Sequence, residues 1–329
     1  MKKNPIKLGV IGVGHLGQHH VKHYCSIKET TLVGLFDTDE KQALKISKQF
    51  NIPIFDNLNK LISSVDAVSI VTPTIHHAEV AEYCLKMKKH VFIEKPITST
   101  IREAENLIEI AKNNKKIIQV GHIERLNPAL RALEPYQIKP AFIEFQRLAP
   151  YSERGTDVPV VLDKMIHDID ILLSLVNANV DSIEASGLSI LTESIDIAHA
   201  RIKFSNGCVA SIMSSRISKN EVRKIKTFQQ NLYTTIDLYK GLTEIYKIEN
   251  NINSNQDYLL KVPFDYKGTK KHIIYEKPEI IKEDALRLEL INFIYSIEGT
   301  EKPIVSGEAG RDALAVAIEI QEKITEGIK

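Results

Sequence analysis

Gly12-Val13-Gly14-His15-Leu16-Gly17 is a G-x-G-x-x-G run placed directly after an apolar stretch. At such a turn the first glycine takes the tight bend, the second lets backbone approach a pyrophosphate, and the third lets the following helix pack closely on its strand. The helix N-terminus then offers free N–H groups and the positive end of its dipole to the phosphates. Asp37 closes the next apolar run, twenty residues after Gly17. A carboxylate there accepts hydrogen bonds from ribose hydroxyls and repels a 2′-phosphate, and the following Thr38-Asp39 supply no arginine. The expected cofactor is therefore NAD in preference to NADP.

Two further groups have side chains suited to chemistry on a substrate. Glu94-Lys95-Pro96 ends a later apolar run. In open α/β sheets the carboxyl ends of the strands face the ligand crevice, so Lys95 is expected beside a nicotinamide ring. Taken alone, such a lysine is an ordinary surface residue at a strand end. Lys95-Pro96 is also a candidate cis peptide bond. Asp163, His167 and Asp170 fall at i, i+4 and i+7, which places them on one face of a helix. Ile166, Ile169, Leu173 and Val176 mark another face. A histidine with a carboxylate one turn away is held in one orientation, and can take a proton from an alcohol as hydride leaves the same carbon. The same residues also read as a helix cap with a solvated imidazole, or as an Asp-His-Asp ligand set. Three ligands on one helix face converge poorly, so no metal site is expected.

The elements that must position these residues are legible in the apolar patterning. Apolar runs at 7–11, 31–36, 67–71, 91–93 and 117–120 read as strands. Between them, Leu16, Val21, Tyr24 and Cys25 have helical spacing; so do His77, Val80, Ala81, Cys84 and Leu85, and then Ile101, Ala104, Ile108 and Ala111 after a Thr100 cap. Short apolar strands alternating with helices imply a parallel sheet buried on both faces. Beyond about residue 122 the pattern changes. Ala198, Ala200, Ile202 and Phe204 alternate with His199, Arg201 and Lys203, and Asn206-Gly207 then leads into a second strand at 208–216, a strong hairpin signal. Runs at 232–239 and 242–248 flank Lys240-Gly241 as another hairpin. Helices are expected at 162–176, along Leu286, Leu290, Phe293, Ile294 and Ile297, and from Ser306-Gly307-Glu308 onward. The Asn-rich stretch 250–257 reads as a surface loop. The expected architecture is α/β: a Rossmann domain at 1–122, then an α+β domain at 123–329 with a large open antiparallel or mixed sheet.

Composition narrows the function classes. At roughly 150 residues per domain, 329 residues suit two domains. The 43 basic and 42 acidic residues leave a net charge of +1, with no global electrostatic footprint for nucleic acid or an anionic membrane. Trp is absent and aromatics make up 6%, which argues against a base-stacking surface. No stretch is long enough to span a bilayer. The lysines and apolar run at the start resemble a leader, but glycines and three histidines interrupt it, so it reads as a strand and turn. Cys25, Cys84 and Cys208 are too scattered for a disulfide framework or metal site, which suits a reducing, cytoplasmic compartment.

Together these residues resemble the Gfo/Idh/MocA family of NAD(P)-dependent oxidoreductases over nearly the whole chain. The resemblance rests on the glycine run, Thr72-Pro73-x-x-x-His77, Glu94-Lys95-Pro96, Gly121-x-x-x-Arg125-x-Asn127-Pro128, Asp163-x-x-x-His167-x-x-Asp170 and Pro303-x-Val305-Ser306-Gly307-Glu308. It implies that Lys95, Asp163 and His167 are catalytic. It also implies cofactor contacts from Gly12, Gly14, His15, Leu16, Gly17, Asp37, Thr72, Pro73, His77, Glu94, Lys95 and Pro96. The family usually shows Asp-x-Gly-x-His, whereas Met165 stands at the glycine position here, which is expected to reshape the substrate pocket. Gly121-His122-Ile123-Glu124-Arg125-Leu126-Asn127-Pro128-Ala129, Arg147-Leu148, Ser152-x-Arg154-Gly155-Thr156-Asp157-Val158 and Met165-Ile166-His167-Asp168 are similar to the branch that oxidises the 3-hydroxyl of UDP-N-acetylglucosamine, ahead of transamination for lipid A. The implied substrate residues are Arg125, Arg154, Tyr151, Asp163 and His167, with the substrate between the domains. Arg125, Arg147 and Arg154 are cations available to a diphosphate, although each reads first as an ion pair. Either Lys95 or His167 is the proton acceptor. The resemblance further implies a homodimer or homotetramer. Another sugar nucleotide, a polyol or a diol is the alternative substrate, and a non-catalytic NAD-binding regulator is the alternative function.

Overall fold

The computed structural model describes residues 4–152, 158–250 and 259–328. The first part of the chain alternates strands β1 (Ile6–Ile11), β2 (Thr30–Phe36), β3 (Ala67–Ile70), β4 (His90–Glu94) and β5 (Ile118–Gly121) with helices α1 (Gly17–Tyr24), α2 (Glu40–Phe50), α3 (Leu58–Ser64), α4 (His77–Lys86) and α5 (Ile101–Asn114). The strands form one parallel sheet in the order β2-β1-β3-β4-β5. Every residue of β3 and β5 is buried, as continuous apolar runs covered on both faces require. Local chemistry sets the helix starts. Asp39 caps α2 by accepting from the N–H groups of Lys41 and Gln42, and Thr100 with Glu103 forms a capping box on α5. Helix α1 starts without a side-chain cap. Its buried face is His20, Val21, His23 and Tyr24, not the expected stripe through Leu16 and Cys25, both of which are exposed. Leu16 stands just before the first residue of α1 and Cys25 just after its last.

The rest of the chain forms the single turn α6 (Pro128–Arg131), β6 (Phe142–Leu148), α7 (Ile166–Val176), β7 (Val180–Leu188), β8 (Ile197–Phe204), β9 (Val209–Ser215), β10 (Val222–Gln229), β11 (Leu232–Asp237), β12 (Leu242–Glu249), β13 (Leu260–Tyr266), β14 (Thr269–Glu276), α8 (Ala285–Glu298) and α9 (Gly307–Ile328). Nine strands make a mixed sheet in the order β13-β14-β12-β11-β10-β6-β9-β8-β7. All its pairs are antiparallel except β6 with β9. In β8 the side chains of Ala198, Ala200, Ile202 and Phe204 are buried, and Asn206-Gly207 turns the chain into β9. The expected loop at 250–257 lies outside the described residues from 251 on.

The chain forms two compact units. One runs to Ile123 and also takes Asp284–Ala315; the other is Glu124–Glu283 with the residues from Val316 onward. Residues 284–315 thus differ from the sequence expectation, which gave everything after 122 to the second domain. The reason is packing: Leu290, Phe293 and Ile294 of α8 share a core with Leu8, Val10, Val13, Val21 and Phe92, and Val120 N–H donates to Val305 O. An amphipathic stripe says that a helix has a partner but not which one.

Candidate functional site

The turn after β1 is built as its glycines require. Gly12 has φ +84°, and a Cβ there would lie 2.6 Å from Val71 O. A Cβ on Gly17 would lie 2.0 Å from Gly12 O, so α1 packs on the turn only because position 17 is glycine. Gly14 differs: a Cβ there would meet nothing within 4 Å. Its missing side chain leaves open space. The peptide of Val13 is clamped, its N–H donating to Asp37 Oδ2 at 2.6 Å and its carbonyl accepting from Gln42 Nε2 at 2.8 Å. Asp37 Oδ1 accepts from Asp39 N–H at 2.9 Å. A carboxylate has about four acceptor positions, so Asp37 holds the loop and retains capacity for ribose hydroxyls.

These residues open onto a cavity of about 730 Å³, whose walls include Gly12, Gly14, Asp37, Thr38, Asp39, Gln42, Leu58, Asn59, Thr72, Pro73, His76, Glu79 and Tyr83. That size suits a cofactor. No Lys or Arg is among the described residues that line it, whereas Asp37, Asp39 and Glu79 do, a lining that opposes a 2′-phosphate. The buried Thr72 Oγ1 has no hydrogen-bond partner among the described residues. Open space at Gly14, a carboxylate at the end of β2 and an unused hydroxyl on the wall together fit a dinucleotide.

Several of the expected cofactor residues do not line this cavity. Gly17 serves packing. Leu16 is exposed, and so is His15, whose ring stands edge-on to His19. His77 is buried behind the wall, its Nε2 2.8 Å from Thr72 O and its Nδ1 2.9 Å from Pro96 O. It ties the loop after β3 to the loop after β4, and burial lowers its pKa despite those carbonyls. His76 reaches the cavity instead. The short 3₁₀ turn Thr74–His76 precedes α4, and this change of helical pitch sets which of the adjacent histidines faces inward. Gln42, Asn59, Glu79 and Tyr83 were not legible in the sequence, because they reach the cavity from helices whose placement only the fold supplies. Glu94 ends β4 and Lys95 and Pro96 follow it, none of them on the cavity wall, and the Lys95-Pro96 bond is cis.

In the second unit a π-helical turn, Val161–Met165, precedes α7. Its wider pitch breaks the regular phase assumed for 162–176. Asp163 is half-buried, 3.4 Å from Lys164 Nζ, and His167 is half-buried. Asp170 does not join them on a polar face: it is buried and accepts from Arg125 Nε and Nη2, each at 2.7 Å. Arg125 is thus an ion-pair partner first. Arg147 is buried, donating to Asp168 at 3.0 and 2.8 Å and to Glu124 at 2.9 Å, so it is not available to a diphosphate. Burial alone would raise the Glu124 pKa, but Arg147 and Arg223 hold it below the usual carboxylate value. Met165 is fully buried, so its bulk fills the core. Tyr151 is exposed. Arg154 lies outside the described residues. Among the described residues no cluster of three or more His, Cys, Asp or Glu is placed to hold a metal ion, and no helix is long and apolar enough to cross a membrane.

The glycine turn separates two effects. Gly17→Ala is expected to destabilise the fold by about 1–3 kcal/mol, since the clash is with backbone that cannot yield. Gly14→Ala is expected to leave the melting temperature unchanged and to weaken NAD binding about tenfold, or ~1.4 kcal/mol. Thermal melts and NAD titrations check both; undiminished NAD affinity in Gly14→Ala would mean that the pyrophosphate lies elsewhere.

Comparison with known proteins places this geometry. Residues 6–122 match the NAD-binding Rossmann domain of an oxidoreductase family, and residues 145–329 match the C-terminal alpha/beta domain of that family. The UDP-N-acetylglucosamine 3-dehydrogenase of Acidithiobacillus ferrooxidans is 33% identical over 317 residues, 96% of each chain. A solved structure of that enzyme superposes with a TM-score of 0.88 at 31% identity, covering 99% of this chain and 100% of the other. The myo-inositol 2-dehydrogenase of Thermotoga maritima is 24% identical over 98% of this chain and 97% of its own. With both domains matched along nearly the whole length, the protein belongs to the Gfo/Idh/MocA family of NAD-binding oxidoreductases.

Proposed function

We propose that this oxidoreductase converts a sugar hydroxyl to a ketone, its substrate being the 3-hydroxyl of UDP-N-acetylglucosamine. The observation that carries this reading is the 33% identity along 96% of both chains to an enzyme of that name. Presence of Lys95, Asp163 and His167 together favours a catalyst over a sensor that merely binds the cofactor. The turn at 12–17 with the start of α1 would hold the NAD pyrophosphate, and Asp37 the adenosine ribose. Bound NAD supplies the hydride acceptor. Lys95 hydrogen-bonds the reacting oxygen and stabilises its developing charge, one of Lys95 and His167 takes the hydroxyl proton, and Asp163 orients its basic partner. The ketone product is suited to transamination to a 3-amino sugar, as in lipid A synthesis in the cytoplasm.

A homodimer or homotetramer formed through the nine-stranded sheet goes with this reading. Phe142, Phe228, Tyr233, Tyr246 and Tyr275 stand directly opposite one another across five strands, with ring centroids 4.7–5.7 Å apart. Phe228 and Met213 are exposed. A long aromatic row on an open face is the kind of surface that a second subunit covers.

The direct test is NADH formation by the purified protein with UDP-N-acetylglucosamine, compared with myo-inositol and simple diols. Turnover of the UDP-sugar with weak or absent turnover of the others is expected. Turnover of a polyol alone would replace the substrate, and NAD binding without any turnover would favour a regulator.

A further inference from the structure

The carboxylate of Glu94, beside Lys95, is held from three sides by residues far apart in the sequence. Oε1 accepts from His20 Nε2 at 3.1 Å, and Oε2 accepts from Lys95 N–H at 3.2 Å. A carboxylate only accepts, so His20 Nε2 carries a proton. On the third side is Gly121, where a Cβ would lie 3.0 Å from Glu94 Cδ, Oε1 and Oε2. His20 itself is 1% exposed, its ring edge-on to Phe92 at 5.3 Å, and its Nδ1 has no hydrogen-bond partner among the described residues. An imidazole buried among aromatic rings costs stability that an apolar side chain would not. What it does there is hold Glu94.

We propose that Glu94, fixed by His20 and seated against Gly121, is a positioning residue that keeps the Lys95 amine in its charged form. The inference rests on the reading of Lys95 as a group that touches the reacting oxygen. It also resolves the choice left open above: a charged Lys95 donates a hydrogen bond to the oxygen, and His167 takes the proton. Burial by itself would raise the Glu94 pKa; the His20 hydrogen bond and the charges of His20 and Lys95 bring it below the ordinary value. Glu94 is therefore an anion at neutral pH. Attraction is mutual, so that anion favours the ammonium form of Lys95. Tyr24 and His77 also feel the Glu94 charge, and both are committed elsewhere: the Tyr24 hydroxyl bonds Ser69 Oγ at 2.8 Å, and His77 sits between two backbone carbonyls; buried His122 follows Gly121 at the end of β5.

The test compares the native protein with Glu94→Gln by competitive acetylation across a pH series, with the Lys95 peptide read by mass spectrometry. In Glu94→Gln the Lys95 titration midpoint is expected to fall by about one pH unit or more. The alkaline limb of kcat should move to lower pH with it, while NAD affinity stays within about twofold. A purely structural Glu94 would lower activity without moving either midpoint, and an unchanged Lys95 midpoint overturns the proposal. If Glu94→Gln does not fold, His20→Phe with Glu94→Leu removes the same charge without leaving an unpaired buried donor and carries the same expectation. Lys95→Met separates the two levels. If it retains turnover, the catalytic reading of Lys95 fails; if it is inactive and the midpoint does not move, only the role of Glu94 fails.

Discussion

Lys95→Ala and His167→Ala are each expected to lower kcat by roughly 10²–10⁴-fold, or about 3–5 kcal/mol of transition-state stabilisation, and to leave the Kd for NAD within about threefold. The asymmetry follows from placement. Neither residue lines the cavity formed by the glycine turn, Asp37 and the loop after β3. On the proposed mechanism each substitution removes an interaction with the reacting oxygen, and its distance from this cavity spares the dinucleotide. Groups that act on one proton transfer work as a unit, so the double variant should lose little more than the worse single one. Lys95→Arg sharpens the assignment. Arginine keeps the charge but cannot lose a proton at working pH, so residual turnover well above Lys95→Ala points to His167 as proton acceptor, and turnover no better than Lys95→Ala points to Lys95. Steady-state kinetics with NAD titration decide it. Near-normal kcat in both alanine variants would remove these residues from the site.

The parts of the molecule legible in the sequence are those governed by short-range rules. Gly12, Gly14 and Gly17 followed an apolar strand and preceded a helix, and Asp37 ended the next strand; strand, turn and cap chemistry are written in adjacent residues. Thr100 and Glu103 announced their helix in the same way. What stayed hidden depends on long-range partners. Arg125 and Arg147 read first as ion-pair residues, but nothing near them in sequence reveals Asp170 and Asp168 as their partners. The stripe of α8 was visible, but its burial against Leu8 and Phe92 of the first unit was not. The face assigned to Asp163, His167 and Asp170 assumed an unbroken α-helix. A single π turn rephased it, and no residue type marks such a turn. Glu94 was read as part of a motif, and only the fold shows His20 and Gly121 closing around it.

Arg147→Met is expected to destabilise the second unit by about 3–5 kcal/mol, which for a unit of this size lowers the melting temperature by roughly 6–20 °C. Arg147 donates to Asp168 through Nε and Nη2 and to Glu124 through Nη1, and all three residues are buried. Methionine fills similar volume but leaves two buried carboxylates without their common partner. Glu124 retains Arg223 at 3.3 Å, so most of the cost falls on Asp168, next to His167 on α7. The pH dependence has a definite sign. In the native protein Glu124 is held below its ordinary pKa, whereas burial keeps Asp168 above its own even with Arg147 beside it. The Glu124 contribution is therefore present above its ordinary value and lost as pH falls through the folded one. In Arg147→Met the uncompensated carboxylates bind protons more readily folded than unfolded, so the variant regains stability as pH falls. The gap between the two proteins should be widest near neutrality and should narrow below about pH 5. Arg147→Met with Asp168→Asn removes the stranded charge and should recover more than half of the loss. Thermal melts from acid to neutral pH measure all of this. A gap that stays constant with pH would mean that Arg147 stabilises by packing alone, and no recovery in the double variant would mean that Asp168 is not where the cost lies.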